Sequence, residues 1–297
     1  MAPILVGTAS WSDKSLIDSG LFYPPDVSTP AGRLEYYAQR YPLVEVDTSF
    51  YGIPAVRSSM QWAQRTPPGF VFDVKAFRLF TQHQTDPHVL PKEVRQALGR
   101  IPPKNVHYDD LPAELRDELW QQFQLALEPL RRAGKLGVAL FQFPPWFVPS
   151  GAHFDHIREC QARLPGVQLA VEFRNKAWFE GDRPGRVWQF LRDHRMAYVV
   201  VDEPQGFASS VPQLWEVTCP DVAVVRLHGR NRDTWEGKGL KSSGERFHYL
   251  YGQDEMAELA AGARTLAHQA AAVHVLFNNC AGDYAQRNAA QFLALVR

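Results

Sequence analysis

Two periods of apolar and polar residues alternate along this chain. Short runs rich in Val, Ile, Leu and Phe, each ending in polar residues, occur at 4–8, 43–48, 70–75, 136–142, 168–174, 197–202, 222–228 and 273–279. Runs of about 5–7 residues have the usual length of β-strands. Between most of them apolar residues recur at spacings of three and four, the helical period. These segments are 31–40, with Leu34, Tyr37 and Ala38 on one face, then 55–65, 114–133, 154–164, 186–194, 254–269 and 285–296. In 114–133 the stripe is Leu115, Leu119, Phe123, Leu127 and Leu130. Residues 211–216 read as one further, short helix.

Strands alternating with helices imply right-handed crossovers and a parallel sheet. Eight such units in 297 residues predict a (β/α)8 TIM-like barrel in a single domain, residues 1–297. The competing architecture is an open doubly wound sheet, which usually carries a glycine-rich phosphate turn after its first strand. Gly7-Thr8-Ala9-Ser10-Trp11-Ser12 is not such a turn. Two segments exceed ordinary connections: 76–111, with Thr81-Gln82-His83 and a proline-rich stretch at 101–112, and 229–252. Both follow strands on the exit side, where barrel sites are built and long loops often serve as lids.

Side chains alternate across a strand, so parity sorts them. Glu45 and Asp47 share a face, as do Asp73 and Lys75, Glu172 and Arg174, and Arg226 and His228. Gln142 shares the parity of Val138 and Leu140; Asp202 ends the sixth strand, and Asn278 and Asn279 end the eighth. Charges in strands buried on both faces are costly unless paired. Glu45, Lys75, Glu172, Arg174, Asp202, Arg226, His228 and Asn278 are therefore expected around one mouth. Arg174 and Arg226 suit bidentate binding of phosphate or carboxylate. Glu172 and Asp202 suit an acid/base pair, His228 a proton shuttle, and Lys75 an anion clamp or amine nucleophile. Trp11 and Tyr51, near the first two strand exits, are candidates to stack on a ring. The bland alternative is a layered set of salt bridges without catalytic role, in which Glu45 and Asp47 only brace Arg or Lys; Asp73 reads as surface or structural.

Composition narrows the classes. Lys+Arg and Asp+Glu are both 32, so a strongly basic non-specific nucleic-acid binder is not expected. Hydrophobic residues at 45% and charged residues at 22% fit a globular chain. No apolar run approaches the roughly 20 residues of a membrane span, and residues 1–12 have neither the basic segment nor the apolar core of a secretory signal. Cys160, Cys219 and Cys280 are scattered, which suggests a reduced, cytoplasmic chain without a cysteine metal site. No P-loop, dinucleotide fingerprint, HExxH or nucleophile elbow occurs, so neither a cofactor nor a metal is expected.

Several segments resemble one family. Gly7-Thr8-Ala9-Ser10-Trp11, Glu45-Val46-Asp47-Thr48-Ser49-Phe50-Tyr51-Gly52 and Phe72-Asp73-Val74-Lys75 are similar to the domain-of-unknown-function 72, or YecE-like, family. So are Gln142-Phe143-Pro144-Pro145, Val171-Glu172-Phe173-Arg174 with Trp178, Arg226-Leu227-His228-Gly229-Arg230 and Phe277-Asn278-Asn279, in the right order over residues 4–296. The chain departs from the family at Asp47-Thr48-Ser49, where an asparagine more often follows the acidic residue, and at Thr81-Gln82-His83, where Thr-His is commoner. The resemblance implies a TIM-like barrel and places recurrent polar residues at Glu45, Lys75, Glu172, Arg174, Arg226, His228 and Asn278. It supplies no reaction. The expectation is a cofactor-independent hydrolase or lyase acting on a small anionic or phosphorylated substrate at the strand-exit mouth. One alternative is a Schiff-base enzyme using Lys75. Another is a non-catalytic binder of nucleic acid or a sugar phosphate through the basic loop Arg230, Arg232, Lys238, Lys241 and Arg246. No membrane partner is expected.

Overall fold

Eight strands pair in chain order, all in parallel, and the last closes on the first. They are β1 (Ile4–Thr8), β2 (Leu43–Val46), β3 (Val71–Lys75), β4 (Leu136–Gln142), β5 (Gln168–Glu172), β6 (Ala197–Asp202), β7 (Ala223–Leu227) and β8 (Val273–Phe277). The computed structural model describes residues 1–99, 104–237, 239–240 and 243–297. Among these, the helices are α1 (Lys14–Ser19), α2 (Pro30–Ala38), α3 (Val56–Gln64), α4 (Lys92–Leu98), α5 (Ala113–Arg132), α6 (Gly151–Ala162), α7 (Arg183–Asp193), α8 (Ser243–Arg246), α9 (Gln253–Ala267) and α10 (Tyr284–Val296). The architecture is the (β/α)8 TIM-like barrel. None of the described helices is long and apolar enough to cross a membrane.

The long helices form where the apolar stripe is longest and the ends are capped. In α5, Leu119, Trp120, Phe123, Leu127 and Leu130 are buried against the barrel. Thr29 and Ser150 cap α2 and α6 by accepting from the backbone N–H of Gly32 and His153, donors that a helix start leaves without partners. Residues 211–216 are not a helix. Pro212 lacks a backbone N–H, and the Val211 N–H donates to Glu203 Oε1 at 2.8 Å, so the segment stays extended. The short helices α1, α4 and α8 span fewer residues than a periodic signal needs.

Register fixes which side chains enter the barrel. Val201 lies beside Arg226, Arg226 beside Leu276, and Gln142 beside Glu172. With a period of two, Val199, Val201 and then Glu203 face inward, while Tyr198, Val200 and Asp202 face the helices. At the strand-entry end Asp73 plugs the floor. Its carboxylate accepts from the Val138 N–H at 2.9 Å and sits 2.9 Å from His274 Nδ1. The β3–β4 register shifts at this point, because β4 turns a backbone N–H to a side chain instead of to its neighbour strand. Gly137 makes room: a Cβ there would lie 2.1 Å from Asp73 Oδ1.

Candidate functional site

The inward-facing charges of β2, β5 and β7 meet in one buried network. Arg226 Nε and Nη2 donate to the two oxygens of Glu45, each at 2.8 Å, and Nη1 donates to Glu172 Oε2 at 2.5 Å. Glu172 Oε1 gathers Gln142 Nε2 at 2.7 Å, His228 Nε2 at 3.0 Å and Arg174 Nη1 at 3.2 Å. Asn278 Nδ2 lies 2.9 Å from His228 Nδ1. A carboxylate only accepts, so His228 carries its proton on Nε2 and its Nδ1 accepts from Asn278. The direction of every hydrogen bond from Glu172 outward is thereby set, and the Gln142 and Asn278 amides are held by groups below them.

Above this network the strand exits enclose a cavity of about 420 Å³. Gln142 and Asn278 form part of its base; Asp47, Lys75, Phe50 and Tyr51 stand on one wall, and Arg246 and Phe247 close another. Lys75 Nζ is 2.8 Å from Asp47 Oδ1 and 4.6 Å from the centre of the Phe50 ring. Described residues of the β7–α9 loop fold over the rest of the mouth. Its Trp235 is buried, with Arg174 4.8 Å from the ring centre and His228 6.5 Å from it. Two larger depressions, of about 570 and 490 Å³, lie outside the barrel along α10 and between α3 and α5. Neither touches the converging charges, so the mouth is the candidate site.

Burial and charge set the protonation states. Burial alone would raise the Glu172 carboxyl, but Arg226, His228 and Arg174 hold it well below the usual carboxylate range. Burial pushes Glu45 up, with Arg226 and Lys75 pulling against it and Asp47 adding to the rise. Burial pushes His228 down to about 3, so its imidazole is neutral. Burial lifts Glu203 to about 7 despite the Arg174 Nη1 contact at 3.3 Å. Glu172 and Glu203 thus touch one guanidinium nitrogen, the first held ionised and the second titrating near neutrality.

Glu45, Lys75, Glu172, Arg174, Arg226, His228 and Asn278 come together as parity predicts, but in two tiers. Lys75 and Asn278 line the cavity, and Tyr51 lines it from the loop after β2. Glu45, Glu172, Arg226 and His228 are fully buried beneath, and Arg174 is covered by Trp235. The expected clamp role of Arg226 does not fit this placement, because Glu45 and Glu172 already occupy its donors. Neutral, buried His228 does not fit the role of a proton-donating acid. Two candidates lie elsewhere. Asp202 faces the helical layer, where Arg230 Nη2 at 2.8 Å and the Tyr251 hydroxyl at 2.7 Å donate to it. Trp11 turns out of the barrel and packs against Trp62 and Phe72 at 5.6 and 6.4 Å. Glu203, outside the expected set, continues the inward parity of Val199 and Val201 and meets Arg174 Nη1 at 3.3 Å. In the basic loop Arg230 serves Asp202, and Arg232 Nη1 donates to the Gln205 carbonyl at 2.7 Å. Lys238 and Lys241 lie outside the described residues, as does part of the 101–112 stretch. Among the described residues no cluster of His, Cys, Asp and Glu could hold a metal ion.

Comparison with known proteins matches residues 5–297 to the family described as "Protein of unknown function DUF72". The UPF0759 protein YunF of Bacillus subtilis is 32% identical over 295 residues, covering 99% of this chain and 94% of that protein. A crystal structure of a DUF72 family protein from Enterococcus faecalis superposes with a TM-score of 0.81 at 26% identity, over 99% of this chain and 95% of the other. One from Thermotoga maritima superposes with a TM-score of 0.74 at 29% identity, over 99% of both chains.

Proposed function

The chain belongs to the DUF72 family of proteins of unknown function, and from that premise we propose an enzyme of hydrolase or lyase type that acts on a small anionic, phosphorylated ligand at the strand-exit mouth. The observation that carries this reading is the convergence at the 420 Å³ cavity of a paired Lys75 and Asp47, two oriented amides and an open tyrosine ring. Lys75 and Arg246 supply positive charge for phosphate, and Tyr51 supplies a face for a ring. Gln142 and Asn278 cannot swing freely, since Glu172 and His228 hold one end of each; preorganised dipoles of this kind favour one ligand pose. Arg174, Arg226 and Glu45 act from below as positioning residues, by fixing Glu172.

In a hydrolytic step Asp47 accepts a proton from water as its oxygen bonds to the electrophilic centre. The ester bond breaks, and the leaving oxygen takes a proton from the Lys75 ammonium. Transfer of the proton from Asp47 to Lys75, across their 2.8 Å contact, restores both groups. This pairing favours the hydrolytic role over the Schiff-base alternative, because an ion-paired ammonium is a poor nucleophile.

Calorimetric titration with phosphorylated small molecules tests the reading. The native protein is expected to bind members of that class, and Lys75→Met to weaken them tenfold or more. Equal binding by Lys75→Met, or no binding across the class, would overturn it.

A further inference from the structure

The aromatic wall of the mouth continues past the cavity. Tyr51 meets Phe50 with ring centroids 5.2 Å apart, Phe50 meets His83 at 4.9 Å, and His83 meets Trp146 at 5.7 Å. These rings come from the loops after β2, β3 and β4, three adjacent exits. The two middle rings are packed edge to face, and the two end rings are open: Tyr51 is 55% exposed and Trp146 57%. The four rings touch one another in turn, so the two open faces are the ends of one contiguous aromatic row and not singly scattered residues. Local backbone aims the row. Gln82 holds a φ of +59°, in the left-handed region uncommon for a side-chain-bearing residue, and Thr81 Oγ1 sits 2.9 Å from His83 Nδ1.

Positive charge lies between the open rings. Lys75 Nζ and the Arg78 guanidinium stand 4.6 and 5.4 Å from the centre of the same Phe50 ring. Arg78 spends Nη2 on the Gln84 carbonyl at 2.6 Å; Nη1 has no acceptor among the described residues. Burial first, and then Lys75, Arg78 and Arg174, hold His83 neutral with a pKa of about 3, so the positive charge in the middle of the row is that of Lys75 and Arg78. A neutral sugar would leave the Arg78 guanidinium with only the Gln84 carbonyl to bind, and an acidic peptide would leave the flat rings without stacking partners.

Resting on the mouth reading above, we infer that this row is a second subsite for ligands with two planar rings joined through a phosphate-containing link. One ring lies on Tyr51, the other on Trp146, and the link runs past Lys75 and Arg78. A free dinucleotide and the end of a single-stranded nucleic acid share this chemistry, since stacking on aromatic side chains with cations along the backbone serves both.

The test is calorimetry on the full chain with three probes: AMP, with one ring and one phosphate; NAD, with two rings on a pyrophosphate; and an eight-residue oligothymidylate. At least one two-ring probe is expected to bind tenfold or more tighter than AMP. Trp146→Ala removes that advantage and leaves AMP unchanged, and Trp146→Phe restores it. If the oligothymidylate is the tight probe, its affinity falls steeply with salt, which identifies nucleic acid as the source. AMP binding that depends on Lys75, with no two-ring advantage or none lost in Trp146→Ala, would overturn this inference alone. Failure of all three probes on the native protein would overturn this inference, and the mouth reading falls with it only when the wider class of phosphorylated small molecules also fails to bind.

Discussion

Arg226→Met is the sharpest perturbation of the buried network. It keeps the length of the side chain and removes the guanidinium from Glu45 and Glu172, with its contacts at 2.8, 2.8 and 2.5 Å. Glu172 keeps Gln142, His228 and Arg174 as partners, so most of the loss falls on Glu45. The cost should therefore be that of stranding one buried carboxylate, about 3–5 kcal/mol, and not twice that. At about 2–4 °C per kcal/mol for a large domain, the melting temperature should fall by about 6–20 °C. The pH dependence adds a signature. Without Arg226, burial and Asp47 raise the folded Glu45 carboxyl further above its ordinary 4.5. A raised folded value gives stability that is full below the unfolded value and lost as pH rises through the folded one. The deficit of the variant should thus be widest above neutrality and shrink towards pH 5. Melting curves by circular dichroism from pH 5 to 8 read both effects, and adding Glu45→Gln should recover most of the loss. A native-like melting temperature at pH 7.5, or a deficit that does not change with pH, would refute the reasoning.

Other outcomes follow from the same packing. Glu203, raised to about 7, contributes stability that is complete below 4.5 and lost as pH rises through 7; Glu203→Gln should flatten the melting temperature between pH 6 and 8.5, and an unaltered slope would contradict this. His228, lowered to about 3, stays neutral while the unfolded chain takes up a proton below 6.5, so acid removes stability at up to about 1.4 kcal/mol per pH unit. His228→Gln, made in the Glu203→Gln background to remove the opposing slope, should reduce this loss between pH 6.5 and 4.5 in denaturant titrations. Gly137→Ala would set a Cβ 2.1 Å from Asp73 Oδ1 and 2.7 Å from Val71 Cγ1, and should destabilise the floor by about 1–3 kcal/mol or more; a native-like urea midpoint would count against the plug. Trp11→Ala should cost about 3–5 kcal/mol as a core truncation while leaving ligand affinity at permissive temperature unchanged.

The barrel was legible because its strands are buried on both faces and so read as continuous apolar runs, separated by helices with a clear stripe such as Leu119, Phe123, Leu127 and Leu130. Parity then named most of the buried network. It failed where it was not carried one residue further: Asp202 ends β6 but faces outward, and Glu203, just past the strand, faces in. Parity also could not rank depth. Arg226 and Lys75 share an inward face with their neighbours, yet one lies sealed beneath the amides and the other on the cavity wall, a difference set by barrel layering that a single strand does not display. Trp11 was misplaced because a residue two or three beyond a strand end no longer obeys the strand's alternation. The segment 211–216 was misplaced because its apolar residues pack from an extended backbone committed to Glu203.

A crystal structure of the protein soaked with a mixture of phosphorylated metabolites tests the mouth most directly. The expected density has a phosphate within hydrogen-bonding distance of Lys75 Nζ and a ring against Tyr51. Ligand density confined to the grooves along α10 or between α3 and α5, with none at the strand exits, would contradict the assignment of the mouth as the site.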